Sequence, residues 1–337
     1  MTNSTPTSSR WPHRLALLSA VVTFPLIWVG GLVTSYDAGM AVPDWPGTYG
    51  YNLFLYPWTT WFFGPWDLFI EHGHRLLGAL AGMLMIALVA VTYIAKSPRW
   101  LMQFAVALLV LVILQGLLGG MRVRLDDRLF AMLHGCTGPL FFVLLVAFAV
   151  VTSPRFAVRD RSLEQKTPQR LTTAVWGFAG VCYLQLVLGA LVRHVPVTSS
   201  AGFFRAVVLL HIVLALVLLA QALLLSGKIV FGKQDHNVSR WVGGLLSLLI
   251  VAQVAIGAAT WIVKYGWPDW MGSFQFAAEH LNYEKSVAQA MISTAHVANG
   301  SLILATAVIL SLQASRHWRP AIAIAIAAPL LLVRPTA

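Results

Sequence analysis

Eight stretches of the chain are apolar over about the 20 residues that a bilayer-crossing helix needs. They run over 15–34, 75–95, 100–121, 131–152, 171–192, 206–226, 241–262 and 291–313. Lipid offers no water to unpaired N–H and C=O groups, so each stretch is expected to be an α-helix. The first follows Arg10 and Arg14, has no small-residue cleavage site after it, and is soon followed by another span. It reads as a retained helix rather than a removed signal segment. The polar stretch 153–170 divides the spans into four and four. A further apolar run, 321–333, has only 13 residues. That is short for a span, and its place, in the interface or as a ninth helix, stays open.

Composition agrees with the pattern. Hydrophobic residues make up 58% of the chain and charged residues 10%, against about 25% charged in ordinary soluble domains. This is the composition of an integral membrane protein. The net charge of +11 would suit nucleic acid if it were clustered, but it follows topology instead. Alternate loops carry 14 Lys and Arg on one side and 8 on the other, and 35–74 carries none. Basic loops stay in the cytoplasm. Both termini are therefore expected there, with 35–74 outside. Cys136 and Cys182 fall inside spans 4 and 5 and are expected to be small buried residues.

Two internal repeats stand out. Gln-x3-Gly recurs in span 3 (Gln115, Gly119), span 5 (Gln185, Gly189) and span 7 (Gln253, Gly257), and "VGGLVT" lies at the matching depth of span 1. His-x3-small recurs in all four even spans: His74 with Gly78, His134 with Gly138, His211 with Ala215, His296 with Gly300. Even spans share one direction, so these histidines are expected at one depth near the outer surface. Residues four apart share a helix face, so a small residue below each ring leaves a slot for a planar macrocycle. A place in or near a first turn would favour neutral, ligand-ready imidazole. The donors lie far apart in sequence and lack the tight spacing of zinc sites. Two histidines on facing helices suit the axial positions of a haem. His13, His236 and His317, on the cytoplasmic side, and His194 and His280, in outer loops, lack the pattern and are expected to be solvated.

One feature belongs to the first half alone. Glu71 lies three residues before His74, on the same helix face, with Arg75 just after. A carboxylate at a membrane edge has a functional reading by default: base, or stabiliser of a cation, acting on something bound at His74. A glutamate favoured by the helix start is the plain alternative. His72 points the other way and is expected at the interface. The preceding loop is rich in aromatic residues from Trp45 to Phe69. It reads either as an interfacial belt or as a surface helix near 57–70 that covers the first-half site.

Glu71-x-x-His74-Arg75, with His134, His211 and His296 heading later even spans, resembles the haem A synthase family. "GGLVTSYDAGMAVPDWP", residues 30–46, is similar to that family's sequence after its first span. The resemblance implies an all-α membrane fold of two pseudo-symmetric four-helix bundles. Residues 14–152, with the outer loop 35–74, would take the substrate haem. Residues 171–313 would hold a haem b cofactor, and 314–337 form an apolar tail. It implies oxidation of the C8 methyl group of haem O to a formyl group, giving haem A for cytochrome oxidase. His74 and His134 would bind substrate, and His211 and His296 the haem b iron. Glu71 would be catalytic, and Arg75, Arg193 and Arg205 are candidate propionate partners. The implied partners are an electron donor, haem O synthase (protohaem farnesyltransferase) and oxidase assembly factors, in a plasma or inner membrane. The outer-loop cysteine pair of many bacterial members is missing from this sequence. Two other readings use the same residues: a di-haem cytochrome passing electrons, which leaves Glu71 without a task, and a haem-free transporter or scaffold.

Overall fold

The computed structural model describes residues 9–157, 167–196, 198–232, 238–267 and 284–315. The run 321–333 and His236, His280 and His317 lie outside them.

All eight expected spans are helices: α1 (Trp11–Ser35), α2 (Trp66–Ile94), α3 (Arg99–Leu125), α4 (Arg128–Thr152), α5 (Gln169–Arg193), α6 (Ala201–Phe231), α7 (Arg240–Tyr265) and α8 (Val287–Ala314). Each is long and apolar enough to cross a membrane. The chain is a multi-pass membrane protein. The helices start where local chemistry stops something else. Prolines precede α2, α3 and α5 (Pro65, Pro98, Pro168). Asp127, Ser200 and Ser286 cap α4, α6 and α8, each side chain accepting from an amide of the first turn. Such caps satisfy donors that the helix itself cannot reach.

Most even helices begin well before the apolar run does. α2 starts at Trp66, nine residues ahead of the expected 75, and Leu68 and Ile70 are buried in this added stretch. α6 and α8 likewise start at Ala201 and Val287. The four repeat histidines therefore stand in the second turn or deeper. The helix dipole acts mainly within the first turn, so it does not account for neutral imidazole here.

Packing follows chain order within each half. α1 packs on α2, α2 on α3, α3 on α4 and α4 back on α1. α5 packs on α6, α6 on α7, α7 on α8 and α8 back on α5. Contacts between the sets run through α1, α4, α5 and α8. α4 and α8 are the most enclosed helices, while α6 and α7 turn most of their surface outward. The core at the seam includes Phe141, Phe148, Val175, Phe178, Leu304 and Leu310. Polar side chains inside the spans return their protons to the preceding turn: Thr23 to Ser19, Thr92 to Leu88, Ser311 to Ala307. That local bond removes the cost of an unpaired hydroxyl in an apolar setting. Cys136 and Cys182 are free and buried. His13 is not simply solvated: it is partly buried, and its Nδ1 lies 2.8 Å from the Ala149 carbonyl, tying α1 to α4.

α1 and α8 meet at Gly31, where an added Cβ would lie 2.7 Å from the Thr294 methyl. Overpacked cores lose about 1–3 kcal/mol. Gly31→Val is expected to destabilise the protein by about that amount, seen as a lower unfolding midpoint in detergent.

Candidate functional site

The histidines of the second repeat come together in pairs. The His74 and His134 ring centres lie 6.2 Å apart at 78°. The His211 and His296 centres lie 6.4 Å apart at 69°. Two imidazoles clasping one metal at about 2.0–2.1 Å each would hold their ring centres roughly 6.4 Å apart. Both pairs have that spacing. Nδ1 of His74, of His211 and of His296 is buried and has no close hydrogen-bond partner, although the Leu26, Gln185 and Gln253 backbones bear on those rings. His134 Nδ1 lies 3.1 Å from the Gln115 carbonyl. A backbone partner on one ring nitrogen is what orients a metal-bound imidazole, and it leaves the other nitrogen free. Among the described residues no three His, Cys, Asp or Glu side chains converge, so the donors stand two and two. Two imidazoles per half at that spacing fit the axial positions of haem iron.

The two sequence repeats are one device. Each histidine ring lies against a glycine of the preceding odd helix. An added Cβ would meet Cε1 of His74 at 2.8 Å from Gly30, of His134 at 3.2 Å from Gly119, of His211 at 3.1 Å from Gly189 and of His296 at 3.0 Å from Gly257. The glutamine one turn earlier donates to the histidine's own carbonyl: Gln115 to His134 at 3.2 Å, Gln185 to His211 at 2.8 Å, Gln253 to His296 at 3.0 Å. That carbonyl faces the residue four positions on. This explains the small residues at 138 and 300, and corrects the reading of them as slots for a macrocycle. A Cβ at Gly138 would stand 3.2 Å from Gln115 Nε2, and one at Gly300 would stand 3.3 Å from Gln253 Nε2. The small residue admits the amide. Gly78 alone of the three glycines faces open space.

The segment 71–75 ties the outer loop to α2. Arg75 donates from Nη1 to the Asp44 and Gly47 carbonyls at 2.6 and 2.7 Å, and from Nη2 to the Val42 carbonyl at 2.7 Å. Its Nη2 also meets Glu71 Oε1 at 2.7 Å. The other carboxylate oxygen accepts from the Val42 amide at 2.9 Å. Glu71 is 3% exposed, and both its oxygens are held. The structure thus commits Arg75 to loop carbonyls. His72 is not interfacial: it is buried, paired with Thr48 Oγ1 at 2.9 Å and covered by Tyr56 and Trp61. A short helix, Trp58–Phe62, lies in the expected covering region and packs on α2. Trp45 of the Pro-Asp-Trp-Pro stretch sits directly on Gly120 of α3.

Among the other candidates, Arg205 is exposed. Arg193 donates to the Gly31 carbonyl at 3.0 Å and to Ser35 Oγ at 2.7 Å, joining α5 to α1. Its charge also acts on His296. His194, expected to be solvated, is partly buried with Nδ1 2.9 Å from the Ala190 carbonyl. Sequence reasoning passed over Arg122 of α3, whose charge acts on His74, His134 and Glu71. The available signal was its place three residues after Gly119.

Burial acts to raise the Asp44 carboxyl, but the Gly50 and Tyr49 amides and the Arg75 charge outweigh it and hold the group below the usual carboxylate range. A depressed folded value stabilises fully above the unfolded value, about 3.9, and the contribution is lost as pH falls through the folded value. The 41–51 segment is expected to keep its hydrogen-exchange protection from neutral pH down to about pH 4 and to open below it. Asp44→Asn should weaken protection even at neutral pH.

Residues 65–201 match the COX15-CtaA family model, described as cytochrome oxidase assembly protein. A heme A synthase of Symbiobacterium thermophilum is 35% identical over 189 residues, 54% of this chain and 58% of that protein. That alignment spans less than two thirds of the relative's length. Heme A synthases of Exiguobacterium sibiricum and Shouchella clausii are 28% and 26% identical, over 75% and 85% of this chain and 86% and 98% of theirs.

Proposed function

We infer the function from one premise: the chain belongs to the haem A synthase family. On that premise the protein is an enzyme that oxidises the C8 methyl group of haem O to a formyl group, making haem A for cytochrome oxidase. The observation that carries this reading is an asymmetry between two like sites. Both halves present a facing histidine pair, but only the first places a buried carboxylate three residues before its ligand, at Glu71. Ala131, Val208 and Ser293 occupy that position before the other three histidines.

The substrate haem O would lie between His74 and His134. Glu71, fixed by Arg75 and the Val42 amide, would act as base or as a stationary negative charge beside the carbon being oxidised. A charge held in place before the reaction needs no reorganisation during it. The loop from Val42 to Trp45, locked to α2 and α3, would keep bulk water from that side. Haem b held by His211 and His296 would supply one-electron transfer. The electron donor, haem O synthase and oxidase assembly factors are the proposed partners. The proposed location is a plasma or inner membrane with both chain ends cytoplasmic.

The test is pigment chemistry. Purified protein supplied with haem O and a reductant is expected to yield hydroxylated haem or haem A. Glu71→Gln should lower that yield roughly 100-fold while the optical spectrum of the His211–His296 haem stays as in the parent. Pigment limited to haem b, with no turnover of added haem O, would identify an electron-passing cytochrome and sink the assignment. Normal haem A formation by Glu71→Gln would remove Glu71 from catalysis.

A further inference from the structure

We propose that Arg122 binds a propionate carboxylate of the haem held between His74 and His134, and so sets the orientation of the substrate in the first half. The proposal deepens the reading above and rests on it. Arg122 lies three residues beyond Gly119, on the same face of α3, and Gly119 is the residue against which the His134 ring rests. Its guanidinium sits directly on Gly39, in the short 3-10 turn Ala38–Met40 of the outer loop. A Cβ at position 39 would occupy the place of Nη2, so the guanidinium can lie there only because residue 39 is glycine.

A guanidinium has five N–H donors. Among the described residues none of those on Arg122 makes a hydrogen bond within the protein or an ion pair within 4 Å, whereas Arg75 and Arg193 are both engaged. A partly buried cation on a membrane-spanning helix is costly unless an anion meets it. The nearby carboxylates are otherwise placed. Glu71 is held by Arg75 and Val42. Asp37 faces Lys285 at 3.5 Å. Asp126, past the end of α3, is exposed. The missing anion is therefore expected to arrive with the ligand. Porphyrins of this class carry two carboxylates on one edge, and arginine matches a carboxylate with two parallel N–H bonds. Anchoring that edge at Arg122 stops the macrocycle turning in its plane, and hence limits which methyl groups can stand beside Glu71.

The test uses full-length protein carrying its resident haem. Ferric protoporphyrin IX and its dimethyl ester are titrated separately and followed by optical difference spectra. His74→Ala abolishes the signal if the titrated site is the first pair. Its survival there would overturn the haem reading of that pair and this proposal together. With the pair established, Arg122→Gln is expected to weaken binding of the free acid roughly 10- to 100-fold and to leave binding of the ester unchanged. The parent should bind the ester as weakly as the variant does. Gly39→Ala, which displaces the guanidinium without removing it, should give the same selective loss, and Arg122→Lys should restore part of it. Parent-like affinity for the free acid in Arg122→Gln overturns the propionate contact while the haem reading stands. Equal weakening of acid and ester overturns it as well, because a disturbed fold does not distinguish a carboxylate from its ester.

Discussion

An imidazole ring resting on a neighbouring helix that has no side chain at the point of contact governs the geometry of this molecule. It occurs four times, at Gly30, Gly119, Gly189 and Gly257. Apolar helices in lipid gain nothing from hiding one another from water, so close backbone approach and hydrogen bonds must set their spacing. The glycine provides the approach. In three of the four cases a glutamine one turn earlier adds a second proton to the histidine carbonyl. Backbone and ring are thus held at once, with the paired ring centres 6.2 and 6.4 Å apart. A Cβ at Gly30 would stand 2.8 Å from the His74 ring and displace it, and at the other three glycines the ring would have to give way slightly.

The halves differ because of what lies over them. In the first, Glu71 and Arg75 form a close ion pair one helical turn apart, and the pair holds four backbone groups of the 42–47 segment. An exposed ion pair of that kind contributes little. Here it is buried, and its energy is spent on loop carbonyls and an amide that would otherwise lack partners. The same two side chains therefore close the loop and fix a buried carboxylate three residues before His74. Arg193, bound to the Gly31 carbonyl and Ser35, fastens the second half to α1. Gly30 and Gly31 are adjacent residues of that helix. One touches His74 and the other touches Thr294, two residues before His296, so α1 is in contact with elements of both sites.

By itself the sequence determined the eight spans found among the described residues, the membrane setting, the paired repeats and the asymmetry at Glu71. These depend on hydropathy and on spacing along one helix, and both are local. The tertiary structure decided what each repeat is for. That Gly119 serves the ring of His134, and that Gly138 admits an amide rather than a macrocycle, depends on which helices touch. So does the burial of His72 under Tyr56 and Trp61, since its cover comes from a loop whose path no periodicity encodes. Arg122 was one basic residue among several near a helix end until Gly39 was brought against it. Contacts between residues distant in sequence depend on chain closure in three dimensions, and a linear pattern carries no term for that.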